Sequence, residues 1–451
     1  MRPLLLDAAA RANRYLENLD ARSVAPSPAA VERLSELGGP LPEQPTDPER
    51  VLAALDTVGS PATVASAGGR YFGFVTGGTL PAALAASWLA GAWDQNAGLW
   101  VSSPAAASLE RIALGWLLDV LRLPDQCGGA FVTGTTMANF TALAAARHAV
   151  LARAGWDAEA QGLFGAPSLT VIVGQEVHAS LLKALSLLGL GRDRVVRVPA
   201  DGQGRMRPDA LPRLTGPTIL CAQAGNVNTG ALDPVGEICR SAHDAGAWVH
   251  VDGAFGMWAA AAPRLAHLVR GTEEADSWAV DAHKWLNTPY DGGVAFVRDV
   301  GHLTAAMSAS AAYLPEGGPR EPFRYTPEMS RRARGVEIWA ALRSLGRAGL
   351  ADLIERTCRH ARRFAEGLAR GGYPSLNEVV LNQVLVSFGD DDATRRVIEG
   401  VQKDGTCWCG GTVWHGRAAM RISVSSWVTT EEDVDRSVAA MLRVAAGTTG
   451  A

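Results

Sequence analysis

The 451-residue chain reads as an α/β protein built on a mainly parallel sheet, followed by a smaller α+β domain. Three observations predict this. Short β-rich runs (GGAFVTG, SLTVIVG, RVVRVP, TILCAQAG, AWVHVDG, SWAVDA and GVAFVRD) recur along the middle of the chain, with helical stretches between several of them. Apolar strands that alternate with helices belong to a parallel sheet covered on both faces. A Pro/Gly-rich passage, AAYLPEGGPREPFRYTPEMS, then breaks the alternation, in a chain longer than a single typical core.

The elements follow in order. Residues 1–25 read as an amphipathic helix, and a Pro-rich connector with a short helix leads to another helix over 48–58. LPAALAASWLAGAWDQ and SPAAASLERIALGWLLDVLRL are helical by period and length, the second opened by Ser103 and Pro104. After the break come helices over 331–347 and 350–371, then LNQVLVSFG, HGRAAMRISVSSW and TTEEDVDRSVAAMLRVA. The expected divisions are an arm (1–65), a large domain (66–310), a loop (311–330) and a small domain (331–451).

Composition excludes several classes of function. With 47% hydrophobic and 20% charged residues and a net charge of −4, the chain offers no basic field for nucleic acid or an anionic membrane. The first apolar run is too short for a signal peptide, and no stretch is long and apolar enough to span a bilayer. The six cysteines include no CxxC pair, and Cys407 and Cys409 have only His415 nearby as a metal ligand. A reduced, cytoplasmic protein without a metal is expected.

Chemistry in an open α/β sheet gathers at the carboxyl ends of the strands. In FVTGTTMANFTAL a strand runs into Gly134, Thr135 and Thr136 and a helix begins at once, which suits a phosphate cradle of N–H groups and hydroxyls or plain N-capping by threonine. His178 opens a helix after VIVG, as a ring that could stack on a flat ligand or as a capping residue. Asp252 ends the apolar strand AWVHVD, where a buried carboxylate calls for a cationic partner. Gly253 and Ala254 leave room for a planar ring.

The last strand end carries Lys284, in VDAHKWLNTPYDGG. Of 42 Lys+Arg, only Lys183, Lys284 and Lys403 are lysine. Arginine can replace lysine wherever charge alone is needed, but it cannot act as an amine nucleophile or imine former. A cradle, a stacking ring, a buried acid and an amine together suit pyridoxal phosphate (PLP), whose aldehyde needs a lysine and whose ring nitrogen needs an acid partner.

With these residues in place, the sequence resembles the PLP-dependent group II decarboxylases, relatives of glutamate and aromatic L-amino-acid decarboxylase. Matching stretches run from about residue 70 to 430, among them HASLLKA, GNVNTGALDP, HVDGAFG, ADSWAVDAHKW and SRRARGVEIW. The resemblance implies the aspartate-aminotransferase-like fold (fold type I) and a homodimer with active sites at the interface. It makes the arm a dimer contact, the large domain the cofactor-binding domain and 311–330 a mobile active-site loop. It further implies decarboxylation of an L-amino acid to an amine, through an external aldimine and a quinonoid.

Position by position, the resemblance makes Lys284 the Schiff-base lysine, preceded by His283, and Asp252 the partner of the pyridine nitrogen. His178 and Ala254 flank the ring, and Thr135 and Thr136 bind phosphate. Asn226 stands where relatives often carry Thr near the phenolic oxygen. Arg421 matches the arginine that holds the substrate carboxylate. Phe323 or Tyr325 falls at the position of the loop tyrosine that donates a proton to the α-carbon, and a phenylalanine there goes with aldehyde-forming chemistry. Tyr71, Phe72, Gln95, Asn96 and Trp100 are substrate-side candidates. Lys183 matches a KA pair in the family, and its role stays open. The alternatives are another reaction of the same cofactor, such as an aldehyde synthase, a carbon–carbon lyase or aldolase, or an aminotransferase, and a non-catalytic scaffold of the same fold.

Overall fold

The structure, a computed structural model, describes residues 1–312, 314 and 319–449. All the apolar runs named above become strands of one sheet: β1 Gly128–Val132, β2 Thr170–Gly174, β3 Val196–Val198, β4 Thr218–Gln223, β5 Trp248–Asp252, β6 Ser277–Asp281 and β7 Gly293–Val297. Their spatial order is β1-β7-β6-β5-β4-β2-β3. All neighbours are parallel except β7, which runs antiparallel to both β1 and β6.

Alternation along each strand feeds two cores. Ile172, Leu220, Val249, Val251, Trp278, Val280 and Phe296 pack on one face, with Trp258 and Trp285. Val171, Val173, Ile219, Cys221 and Trp248 pack on the other, against Leu143 and Ala146 of the helix Thr135–Arg153. A strand buried on both sides has no polar face, which is why these runs are almost wholly apolar.

The C-terminal part forms an antiparallel sheet ordered β8-β10-β9 from β8 Gln383–Val386, β9 Gly410–Trp414 and β10 Arg417–Ser423. Strand β9 did not stand out in the sequence: it begins with two glycines and alternates in exposure as an edge strand. The two helices expected over 331–347 and 350–371 lie within Arg334–Arg370 and meet at a kink at Gly346, with φ 59°. Part of the 311–330 segment lies outside the described residues. No helix among the described residues is long and apolar enough to cross a membrane.

One contact fixes where the sheet meets the first loop of chemical interest. Gly293 of β7 pairs with both Asp281 and Val132, at the carboxyl ends of β6 and β1. A Cβ there would lie 2.5 Å from the Gly134 Cα. Gly293→Ala must therefore push the Gly134 turn away, and we expect a loss of about 1–3 kcal/mol of stability in urea unfolding. Gly292→Ala, whose Cβ would have nothing nearer than 3.5 Å, should be nearly neutral.

Candidate active site

The strand ends converge as the topology requires. Register places Asp252 level with Gln223 and Ala279, while Asp281 is level with Gly293. Lys284 follows three residues beyond Asp281, and its Nζ lies 2.9 Å from the Asp281 Oδ2. The other Asp281 oxygen accepts the backbone N–H of Thr135 at 2.7 Å. Burial pushes the Asp281 carboxyl up, but the charges of Lys284 and His283 and the hydrogen bonds from Lys284 and Thr135 outweigh it and hold it below the usual range. Of the three lysines, Lys183 and Lys403 are exposed, whereas the Lys284 side chain is 18% exposed.

Several neighbours hold the lysine turn. Asn287, at φ 56°, donates its amide to the carbonyls of Trp285 and Ser425 at 2.9 and 3.0 Å. Its side-chain oxygen accepts the Trp427 N–H, and its backbone carbonyl accepts that of Leu80. Trp285 is fully buried and donates to Thr357 Oγ1 of the long helix. A Cβ on Gly77 would lie 1.8 Å from the Lys284 carbonyl oxygen, so only glycine permits this approach.

The helix Thr135–Arg153 starts at the end of β1, and a Cβ on Gly134 would meet His283 Cε1 at 3.0 Å. Thr135 is buried and its Oγ1 has no hydrogen-bond partner; Thr136 follows it in the first turn and is half-buried. Asp252 is 4% exposed, accepting from Asn139 Nδ2 at 3.2 Å and from the Ala254 N–H at 3.3 Å. No basic side chain among the described residues forms an ion pair with Asp252.

His178 caps its helix. Its Nδ1 accepts the Ser180 N–H at 3.2 Å and lies 2.7 Å from the Ser180 hydroxyl. Burial lowers its pKa against the pull of Asp252, so the ring is neutral with its proton on Nε2. Burial likewise lowers the pKa of His283, whose ring lies 4.5 Å from that of Tyr290. Arg421, on β10, is half-buried, and no ion pair or hydrogen bond holds its guanidinium among the described residues; burial lowers its pKa. Tyr71 is buried and stacks on Trp408 at 5.2 Å.

Other expected residues lie elsewhere. Phe72 is fully buried in the C-terminal core, edge-on to Phe364. The Asn226 oxygen accepts the N–H groups of Asn228 and Thr229, and its amide donates to Gln223, so its side chain serves the GNVNTG turn. Gln95 is half-buried and donates to the Trp93 carbonyl. Asn96 accepts from the Arg331 N–H, and the Trp100 N–H donates to Glu321, which ties both to the 321–331 segment. Phe323 is fully buried. The Tyr325 ring lies under the Arg320 guanidinium at 4.0 Å, and Arg320 also holds Glu110 and the Gly129 carbonyl. Gly129 is at the start of β1, about 15 Å of extended strand from the cradle.

Three residues that sequence reasoning passed over are central: Asp281, Asn139 and Asn287. Asp281 stood in plain view as a strand-end carboxylate before the lysine. Asn139 carries no signal short of the structure, since its partner Asp252 is more than a hundred residues away.

The Thr135 hydroxyl without a partner, the Asp252 carboxylate without a cation among the described residues and the half-buried Lys284 amine together fit PLP. Residues 37–388 match the pyridoxal-dependent decarboxylase conserved domain. The chain belongs to the pyridoxal-dependent decarboxylase family. It is 30% identical over 406 residues to tryptophan decarboxylase 1 of Oryza sativa subsp. japonica, covering 81% of this chain and 78% of that one. It is 29% identical to phenylacetaldehyde synthase of a Rosa hybrid cultivar, over 74% of this chain and 72% of the other. The structure of Oryza sativa TDC with PLP and tryptamine superposes with a TM-score of 0.91 at 25% identity, covering 99% and 97% of the two chains. The chain is thus a fold type I PLP-dependent carboxy-lyase that decarboxylates an L-amino acid.

Beside this site, His250 is fully buried and its pKa is pushed down to about 3 by burial. Unfolded, the same ring takes up a proton near pH 6.5, so its contribution to stability is complete above that pH and is lost as pH falls toward 3. Relative to a His250→Gln variant, the parent should lose up to about 1.4 kcal/mol of unfolding free energy per pH unit between pH 6 and 4. Parallel profiles in urea titrations would contradict this.

Proposed function

We propose that the substrate is an aromatic L-amino acid and the product its arylalkylamine. The observation that carries this reading is Arg421, a half-buried cation without an anionic partner among the described residues, next to Tyr71 and its aromatic patch. Tyr71 stacks on Trp408, and Phe74, 63% exposed, lies 5.6 Å from the same ring. A carboxylate on Arg421 with an aryl side chain against this patch satisfies both. The relatives named for tryptophan and phenylacetaldehyde point the same way.

Lys284 would be the amine that carries the cofactor, with Asp281 holding its Nζ in place. Thr135 and Thr136 would hold the phosphate, Asp252 would meet the ring nitrogen, and His178 and Ala254 would flank the ring. When bound, the cofactor supplies an electron sink for the bond to the α-carboxylate. Arg421 orients that carboxylate, and burial of His178 and Asp252 keeps water from the ring.

The active form is a homodimer, in keeping with exposed Leu5, Leu6, Trp88, Leu89 and Trp93 on the arm and the helix Pro81–Trp93. Asn96 and Trp100 then face the partner's site, with the described residues 319–330 beside it. The chain works in the cytoplasm.

A second reading is aldehyde formation. Tyr325 is the only tyrosine among the described residues of 319–330, and it packs under Arg320, which holds the Gly129 carbonyl at the start of β1 rather than the turn at its end. As proton donor it would have to serve the partner's site.

Two outcomes test these readings. Loaded with PLP and given L-tryptophan, L-tyrosine or L-DOPA, the protein should release carbon dioxide and amine in equal amounts, and Arg421→Leu should raise KM by about tenfold or more. Ammonia and peroxide in place of amine would favour the second reading, and activity only on acidic amino acids would exclude aromatic substrates. Tyr325→Phe should divert amine to aldehyde; unchanged amine formation would remove Tyr325 from the proton step.

A further inference from the structure

We propose that Asn139 is a positioning residue, its amide oriented by a buried hydrogen-bond chain from Trp248 through Ser277 and His250 so that it holds Asp252 toward the cofactor ring. The inference rests on the assignment of Asp252 as partner of the ring nitrogen and deepens it.

All five residues are buried, with Ser277, His250 and Asn139 at 0% exposure. Trp248 Nε1 donates to Ser277 Oγ at 2.9 Å, and Ser277 Oγ lies 2.9 Å from His250 Nδ1. His250 Nε2 lies 2.9 Å from Asn139 Oδ1, and Asn139 Nδ2 donates to Asp252 Oδ2 at 3.2 Å.

Both ends of the chain fix its direction. Indole N–H can only donate, and a carboxylate can only accept. Asn139 must therefore turn Nδ2 to Asp252 and Oδ1 to His250, which requires the proton on Nε2. A neutral His250 then leaves Nδ1 bare, and Ser277 donates its hydroxyl proton there while accepting from Trp248. The opposite tautomer would turn the Asn139 oxygen against the Asp252 carboxylate. Only one arrangement satisfies all the groups, and in this low-dielectric setting a mismatch is expensive.

The chain also links two halves of the site. Asn139 lies one turn along the helix whose first residue is Thr135, so the amide on Asp252 and the cradle N–H groups move as one body. With Oδ2 taken by Asn139, Oδ1 accepts only the long Ala254 bond and is left for the ring nitrogen.

The test compares Asn139→Leu, Asn139→Asp and the remote Ser277→Ala with the parent, using Asp252→Ala as reference. Dissociation constants for PLP come from titration of the visible band, steady-state kinetics give kcat and KM, and apo-protein melting reports folding. Both Asn139 variants should bind PLP about tenfold more weakly and lose kcat more than KM, with Asn139→Asp the worse. Ser277→Ala should shift both in the same direction by less. Affinity and kcat within twofold of the parent, whatever the melting temperature, would overturn the proposal. If Asp252→Ala also leaves them intact, the assignment of Asp252 fails as well; if Asp252→Ala impairs them, only the positioning chain fails. Should the Asn139 variants not fold, histidine-selective 15N NMR of the parent decides. A neutral His250 with its proton on Nε2 is expected, and the Nδ1–H form or an imidazolium would contradict it.

Discussion

The Asp281 carboxylate, almost fully buried at the end of β6, binds Lys284 Nζ through one oxygen and the Thr135 N–H through the other. A lone carboxylate at that depth would be strongly unfavourable, and so would a lone ammonium. Each makes the other tolerable, and the pair ties the lysine turn after β6 to the cradle after β1. These strands lie on either side of β7, whose Gly293 packs on the Gly134 backbone. The antiparallel β7 is thus what brings cradle and lysine to one edge.

From this pair outward the site is assembled by contacts between domains. Asn287 carries the lysine turn to the carbonyl of Ser425 and the N–H of Trp427, just past the strand that holds Arg421. The segment around Phe72 pairs its backbone with Trp408 and Ser423, so it packs with the C-terminal sheet although it lies within the 66–310 stretch of the sequence. The Lys284 amine and the Arg421 guanidinium are therefore positioned by a shared framework. A change in the packing of the small domain would move both.

Legibility in the sequence followed the range of the physics. The strands were readable because burial on both faces leaves an apolar run. Lys284, Asp252, His178 and Thr135 were readable because each stands at a strand end with a side chain that has little reason to be there otherwise. Strand β9 was not, since two glycines and alternating exposure imitate a loop. Asn139 and Asn287 were silent because their meaning lies in partners far along the chain, Asp252 and Ser425. Phe72 misled for the opposite reason: aromatic residues near a motif are as apt to fill a core as to line a pocket, and here Phe364 claims it. Asn226 was placed by homology of position, yet its side chain is consumed by its own turn.

Lys284, the one half-buried lysine in a chain where arginine supplies nearly all other basic charge, is the amine proposed to bond the cofactor. Borohydride reduction of the PLP-loaded protein, followed by proteolysis and peptide mass spectrometry, reads that bond directly. The account predicts a reduced pyridoxyl group on the peptide containing Lys284 and on neither of those containing Lys183 or Lys403. A pyridoxyl group on either of those, or on no lysine at all, would contradict it.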